Sequence, residues 1–199
     1  MGYTHYWYRP EVIAPETFRA IVVDTQKVLA EIEGYEIPLA GPMGTGRPEL
    51  TAELIGFNGA DECGHPDNKS IIIPWPTSDA GGVKSGAGAA GTWFAGATLQ
   101  TRTCDGSCSY ESFIIEREVF RAEREKDKPN PRGVFNCCKT AFRPYDLAVT
   151  AVLIIAKHHL GAALTVQSDG EAAHWFDGAM LCQSLLGYGL GFTLDRETP

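Results

Sequence analysis

The spacing of apolar residues changes character several times along the chain, and each change marks an element. Tyr3 to Tyr8 is nearly all aromatic or β-branched, which predicts a first strand ended by Pro10. From Pro15 to Ile32 the period lengthens. Phe18, Ile21, Val22, Thr25, Val28, Leu29 and Ile32 share one helical face, Pro15 suits the first turn and Gly34 the C′ position. Short strands follow at Glu36–Leu39, at Ala52–Phe57 before the turn pair Asn58-Gly59, and at Ser70–Ile73 before Pro74. Strand patterns recur at Ala97–Thr103, Tyr110–Arg117 and Val134–Lys139. Pro144 opens a helix through His159, closed by Gly161, whose apolar stretch Leu147–Ala156, broken only by Thr150, reads as buried. Leu164–Gln167 reads as a strand, Ser168-Asp169-Gly170 as a turn, and Glu171–Leu186 as a last helix stopped by Gly187.

This order predicts an α+β fold: one domain over residues 1–199, with a mixed, mostly antiparallel sheet covered by about three helices. Two stretches interrupt it. Residues 79–96 are rich in Gly, Ala and Ser without a repeat and read as a loop insertion. Residues 118–133 mix both charge signs and end in Pro and Gly, as a solvated connection does.

Composition narrows the function only a little. A formal net charge of −8 argues against binding extended nucleic acid. No run of about 20 apolar residues is present, and the N-terminus lacks the basic and apolar regions of a secretory signal, so no membrane partner is expected. Six cysteines in such a chain read as thiols or metal ligands rather than a disulfide framework.

Candidate chemistry gathers around Lys139-Thr140-Ala141-Phe142-Arg143-Pro144-Tyr145-Asp146. A strand running into a helix start offers free N–H groups and the positive end of a helix dipole; Lys139 and Arg143 add charge and Thr140 a hydroxyl. The competing structural role pairs Asp146 with Arg143 or Lys139. Ser168 and Asp169 read as a helix cap. If the strand before them runs parallel to the one before Lys139, both ends meet at one sheet edge, where ligands favour binding. His5 and Tyr6, in a strand otherwise destined for the core, could stack on a ring or bond a ribose there. His158 and His159 lie at the far end of a helix about 22 Å long and read as a C-terminal cap. No cofactor or resident metal is expected. Zinc is nonetheless open to Cys104-x3-Cys108 with Cys137-Cys138, or to Cys63-x-His65, although the spacing is uncommon and adjacent strand cysteines face opposite ways.

The segments Gly2-Tyr3-Thr4-His5-Tyr6-Trp7, Cys108 to Phe113, Cys138 to Asp146, Ala156 to Gly161 and Ser168-Asp169-Gly170 resemble a family of uncharacterised proteins from bacteriophages and bacteria. That resemblance implies a phage accessory protein in the bacterial cytoplasm and carries no activity with it. The residues themselves point to a small anionic, nucleotide-like ligand held by Lys139, Thr140, Arg143, Tyr145, Asp146, His5, Tyr6, Ser168 and Asp169. Sequestering a host immune signal is one such role. A hydrolase or transferase using His5, His158 or His159 with Asp146 or Asp169 is the alternative, and a protein inhibitor of a host enzyme is the third. Homo-oligomerisation is left open.

Overall fold

Alternation decides the first element. In the computed structural model, β1 (Thr4–Arg9) buries His5, Trp7 and Arg9 on one face and turns Thr4, Tyr6 and Tyr8 to the other. The structure describes residues 3–71, 73, 93–94, 97–98, 101–119 and 130–195. The expected Gly-rich insertion therefore lies outside the described residues apart from 93–94, as does the charged connection over 120–129.

Helix α1 (Pro15–Ile32) buries the seven residues its periodicity names. It does not stop at Gly34: a 3-10 turn, Glu33–Tyr35, follows, and Glu36 takes the left-handed conformation that ends it. The short strands pair differently from their propensities. β2 (Leu39–Ala40), β3 (Glu49–Leu50) and β4 (Leu54–Gly59) form one sheet, and β9 (Phe113–Glu116) lies along the other edge of β4. β5 (Lys69–Ile71) pairs with β8 (Arg102–Cys104), and β6 (Trp93–Phe94) with β7 (Ala97–Thr98). β10 (Val134–Lys139) and β11 (Thr165–Ser168) flank β1. All these pairings are antiparallel, so the α+β class holds, but the strands divide among separate sheets instead of one mixed sheet.

Helix α2 (Asp146–Leu160) is the centre of the fold, with every residue from Asp146 to Ala156 buried. It begins two residues after Pro144. The window Asp146–Ala163 is apolar enough to cross a membrane by length and composition, with mean hydropathy 1.3, yet 61% of it is buried inside the fold. Helix α1 packs on one side of it and α3 (Phe176–Leu186) on another. The approach of α3 is close: a Cβ at Gly178 would meet Thr150 Oγ1 at 2.7 Å. The expected last helix is thus split, with a 3-10 turn at Ala172–Trp175 capped reciprocally by Glu171 and His174. Asp169 is free of that task. Trp7, Phe113 and Phe57 pack in sequence as tilted rings and join the β1 sheet to the β4 sheet.

His158 and His159 are not simple caps. His158 stacks on Tyr188 at 3.6 Å, and His159 Nε2 meets Asp24 Oδ2 at 2.9 Å, where the Tyr188 hydroxyl also donates. Gly161, with φ +56, closes the helix.

Candidate functional site

Because β10 and β11 both run antiparallel to β1, they are parallel to each other, and their C-terminal ends emerge on either side of the start of β1. The register sets Thr4 against Lys139 and His5 against both Cys138 and Ser168. The condition for one shared sheet edge is met. Residues 5, 140, 146 and 168 converge there, but toward the core.

Asp146 is the hub of this inner cluster. Its Oδ1 accepts from Thr140 Oγ1 at 2.6 Å and from His5 Nε2 at 2.8 Å, and its Oδ2 accepts from Arg102 Nε at 3.1 Å. Arg102 also donates to Asp177 Oδ2 at 3.4 Å and to the His174 carbonyl at 3.2 Å, with its guanidinium 4.3 Å above the Phe142 ring. His5, Arg102, Thr140 and Asp146 are fully buried. On the other side of His5, Nδ1 lies 3.0 Å from Ser168 Oγ, which accepts from the Gly170 N–H. A carboxylate is acceptor-only, so His5 Nε2 carries a proton; a Ser168 hydroxyl donating to Nδ1 then satisfies every partner. The result is a Ser168–His5–Asp146–Arg102 relay.

The backbone is strained where this cluster is built. Ala141 and Phe142 take φ of +50° and +58°, unusual for a bulky residue, while the N–H groups of Thr140 and Ala141 both donate to the Tyr3 carbonyl. This turn directs Thr140 inward and lays Phe142 beneath Arg102. Burial alone would raise the Asp146 carboxyl; Arg102, His5 and the Thr140 hydroxyl overcome it and hold the group below the usual carboxylate range. Asp177 goes the other way: burial dominates over Arg102 and, with the Asp146 charge, pushes it up to about 6.

The cationic part of the expected site is committed elsewhere. Arg143 donates to the Ser107 carbonyl at 3.0 Å and to Asp105 at 3.2 Å, and Lys139 Nζ sits 5.5 Å from the Tyr110 ring centre. Tyr145 is buried, its hydroxyl donating to the Glu111 carbonyl at 2.7 Å. At the start of α2 the N–H groups of Asp146, Leu147 and Val149 donate to the carbonyls of Arg143, Pro144 and Tyr145. Asp146 pairs with neither Lys139 nor Arg143.

The outer face of the same sheet is open. Tyr6, Tyr8, Phe135, Gln167, Asp169 and Asp195 line a cleft of about 460 Å³. Phe135 stacks on Tyr6 (6.3 Å, 23°) and tilts against Tyr8 (5.3 Å) while staying 49% exposed. The Tyr6 hydroxyl donates to Asp169 Oδ1 at 3.1 Å, and Asp169 Oδ2 accepts from the Thr4 N–H. Arg132 lies over Tyr8 at 4.6 Å. At the far wall Asp195 is fixed by Lys157 and by the Val166 N–H.

Of the expected site residues, then, His5, Thr140, Asp146 and Ser168 form the inner relay, Tyr6 and Asp169 the outer cleft, and Lys139, Arg143 and Tyr145 join neither. Arg102, Asp177 and Phe135 are the additions. An arginine two residues before Cys104 in a strand pattern is the one signal that could have pointed to Arg102. Cys137 and Cys138 point to opposite faces, as alternation requires, whereas Cys63, His65, Cys104 and Cys108 form a cluster of their own. Comparisons with protein-family models, curated proteins and solved structures found no match.

Proposed function

We propose that this protein binds a small nucleoside- or nucleotide-like molecule in the cleft on the outer face of the β10-β1-β11 sheet. The observation that carries this is the run of rings formed by exposed Phe135 and half-buried Tyr6 and Tyr8 beside a carboxylate, Asp169, held in place by Tyr6 and Thr4. A planar base laid on these rings gains about 1–3 kcal/mol of stacking. Asp169 and Gln167 supply acceptors for ribose hydroxyls or base amino groups. Two carboxylates on the rim, with the net charge of −8, disfavour a long polyanion, and Arg132 beside Tyr8 is placed for a single phosphate. In an infected bacterium, the setting implied by the sequence resemblance, such binding would withdraw a nucleotide signal from the host.

Calorimetry against a panel of nucleosides, cyclic dinucleotides and ADP-ribose derivatives tests it. At least one ligand should bind, and Phe135→Ala should weaken it by about 5- to 150-fold, the stacking energy expressed as affinity. The pair Lys139→Ala with Arg143→Ala should leave binding unchanged. Binding lost in the lysine–arginine pair but retained in Phe135→Ala would move the site to the start of α2; no binding across the panel would refute the proposal.

A second reading, hydrolysis of the same class of ligand, rests on the Ser168–His5–Asp146 hydrogen-bond chain; Ser168 also borders the cleft, with its hydroxyl turned inward to His5. Product analysis after incubation separates the two. A cleaved ligand, with cleavage abolished in Ser168→Ala, makes the protein an enzyme; an intact ligand makes it a binder.

A further inference from the structure

We propose that Cys63, His65, Cys104 and Cys108 bind one zinc ion in a closed site that fixes β8 and thereby holds Arg102 against Asp146. The four ligand atoms come from two segments, the loop after β4 and the end of β8 with the loop that follows it. Cys63 and His65 lie between β4 and β5, Cys104 ends β8, and Cys108 lies between β8 and β9. Their donor atoms are all within 4.8 Å of one another. Cys63 Sγ is 3.5 Å from Cys104 Sγ, and His65 Nδ1 is 3.3 Å from Cys108 Sγ. A tetrahedral zinc with Zn–S bonds of about 2.3 Å requires sulfur pairs about 3.8 Å apart, so these separations need only small adjustment.

The chemistry of the set favours zinc over the alternatives. Three thiolates and an imidazole are a soft donor set matched to tetrahedral zinc, and oxygen-seeking ions are disfavoured. Cys104 and Cys108 are fully buried, so the cluster is not a chance gathering of surface groups. The loops are shaped to deliver the sulfurs. Gly64 and Gly106, beside Cys63 and between Cys104 and Cys108, take φ of +74° and +76°. Gly59 leaves no room for a side chain, since a Cβ there would overlap the Cys108 carbonyl. The Cys108 N–H donates to the Ala60 carbonyl at 3.2 Å, tying this loop to the end of β4. Around the rim, Ser107 Oγ donates to Asp61, and Arg143 holds the Ser107 carbonyl and Asp105. The arginine expected to hold a ligand anion instead braces this loop.

Four protein ligands leave no open position, so the role is structural. Its effect reaches the inner cluster through β8. The β5–β8 ribbon has three residues per strand, too short to be stable alone. Arg102 and Cys104 are both buried on this strand, so anchoring Cys104 positions the guanidinium that neutralises Asp146. The proposal is independent of what occupies the cleft.

Elemental analysis of wild-type protein purified under reducing conditions should find one zinc per chain. Cobalt exchange should give the intense visible bands of a tetrahedral thiolate site. Cys63→Ser and His65→Ala should lose the metal, His65→Cys should keep it, and Cys137→Ser should be indistinguishable from wild type. If the loss variants do not fold, cobalt titration into refolded wild type decides the matter by its spectrum. Wild type that carries no zinc and gives no thiolate–cobalt spectrum would overturn the site, as would equal metal loss in Cys137→Ser and Cys63→Ser. Chelation should lower the melting temperature of wild type more than that of Arg102→Met; equal drops would overturn the link to Asp146.

Discussion

Replacing Arg102 with Met should destabilise the protein by about 3–5 kcal/mol, the cost of stranding a buried charge. Arg102 and Asp146 both have side chains wholly removed from solvent. Without the guanidinium, Asp146 keeps only His5 and the Thr140 hydroxyl, while Asp177 and the His174 carbonyl each lose a donor. Lost stacking on Phe142 adds to the deficit. The penalty comes from the carboxylate left behind, so adding Asp146→Asn should recover part of it, giving a non-additive cycle of about 0.5–3 kcal/mol. Urea denaturation of the two single variants and the double measures both quantities. A single-variant loss below about 1 kcal/mol would show that Asp146 is solvated or neutral in the folded protein.

The second large effect is a pH dependence carried by Asp177. Its folded-state pKa of about 6 lies above the ordinary 3.8, so the protonated carboxyl contributes stability that is fully present below pH 4 and lost as pH rises through 6. About two pKa units correspond to about 3 kcal/mol. Asp146 has the opposite sign. Its pKa is held below the ordinary value, so its contribution is present above about pH 4 and disappears on further acidification. Stability should therefore peak near pH 4, where both contributions are present, and fall as pH rises from about 4 to 6. Asp177→Asn should remove the decline on the alkaline side and leave the acid loss in place. Denaturant titrations from pH 3 to pH 8 read this directly, and parallel profiles for wild type and Asp177→Asn would contradict it.

How much of this was legible in the sequence follows from the range over which each feature is decided. Helix α1 and strand β1 are set by local periodicity, and the residues named from that pattern are the ones buried. Strands of two or three residues, such as β2, β3 and β8, are held by pairing partners far along the chain, which propensity cannot supply. The inner cluster fails for the same reason: His5, Asp146 and Ser168 meet only because β10 and β11 adopt one register on β1. Arg102 reads as a solvent-facing charge until its buried acceptors are known. Charge and helix polarity do not show that Lys139 lies near Tyr110, or that Arg143 bonds the Ser107 carbonyl and Asp105, because those partners come from a loop about thirty to forty residues earlier. Among the cysteines, the two halves of the Cys63–His65 and Cys104–Cys108 cluster were visible, but a separation of about forty residues hid that they belong together.

The proposed ligand lies on the outer face of the β10-β1-β11 sheet, against Tyr6, Phe135 and Tyr8. Mapping amide and aromatic NMR shifts while titrating the tightest ligand of the nucleotide panel tests it most directly. The largest changes should fall on Tyr6, Tyr8, Phe135, Gln167 and Asp169. Changes confined to Lys139, Arg143 and the first turn of α2, with those five unmoved, would contradict it.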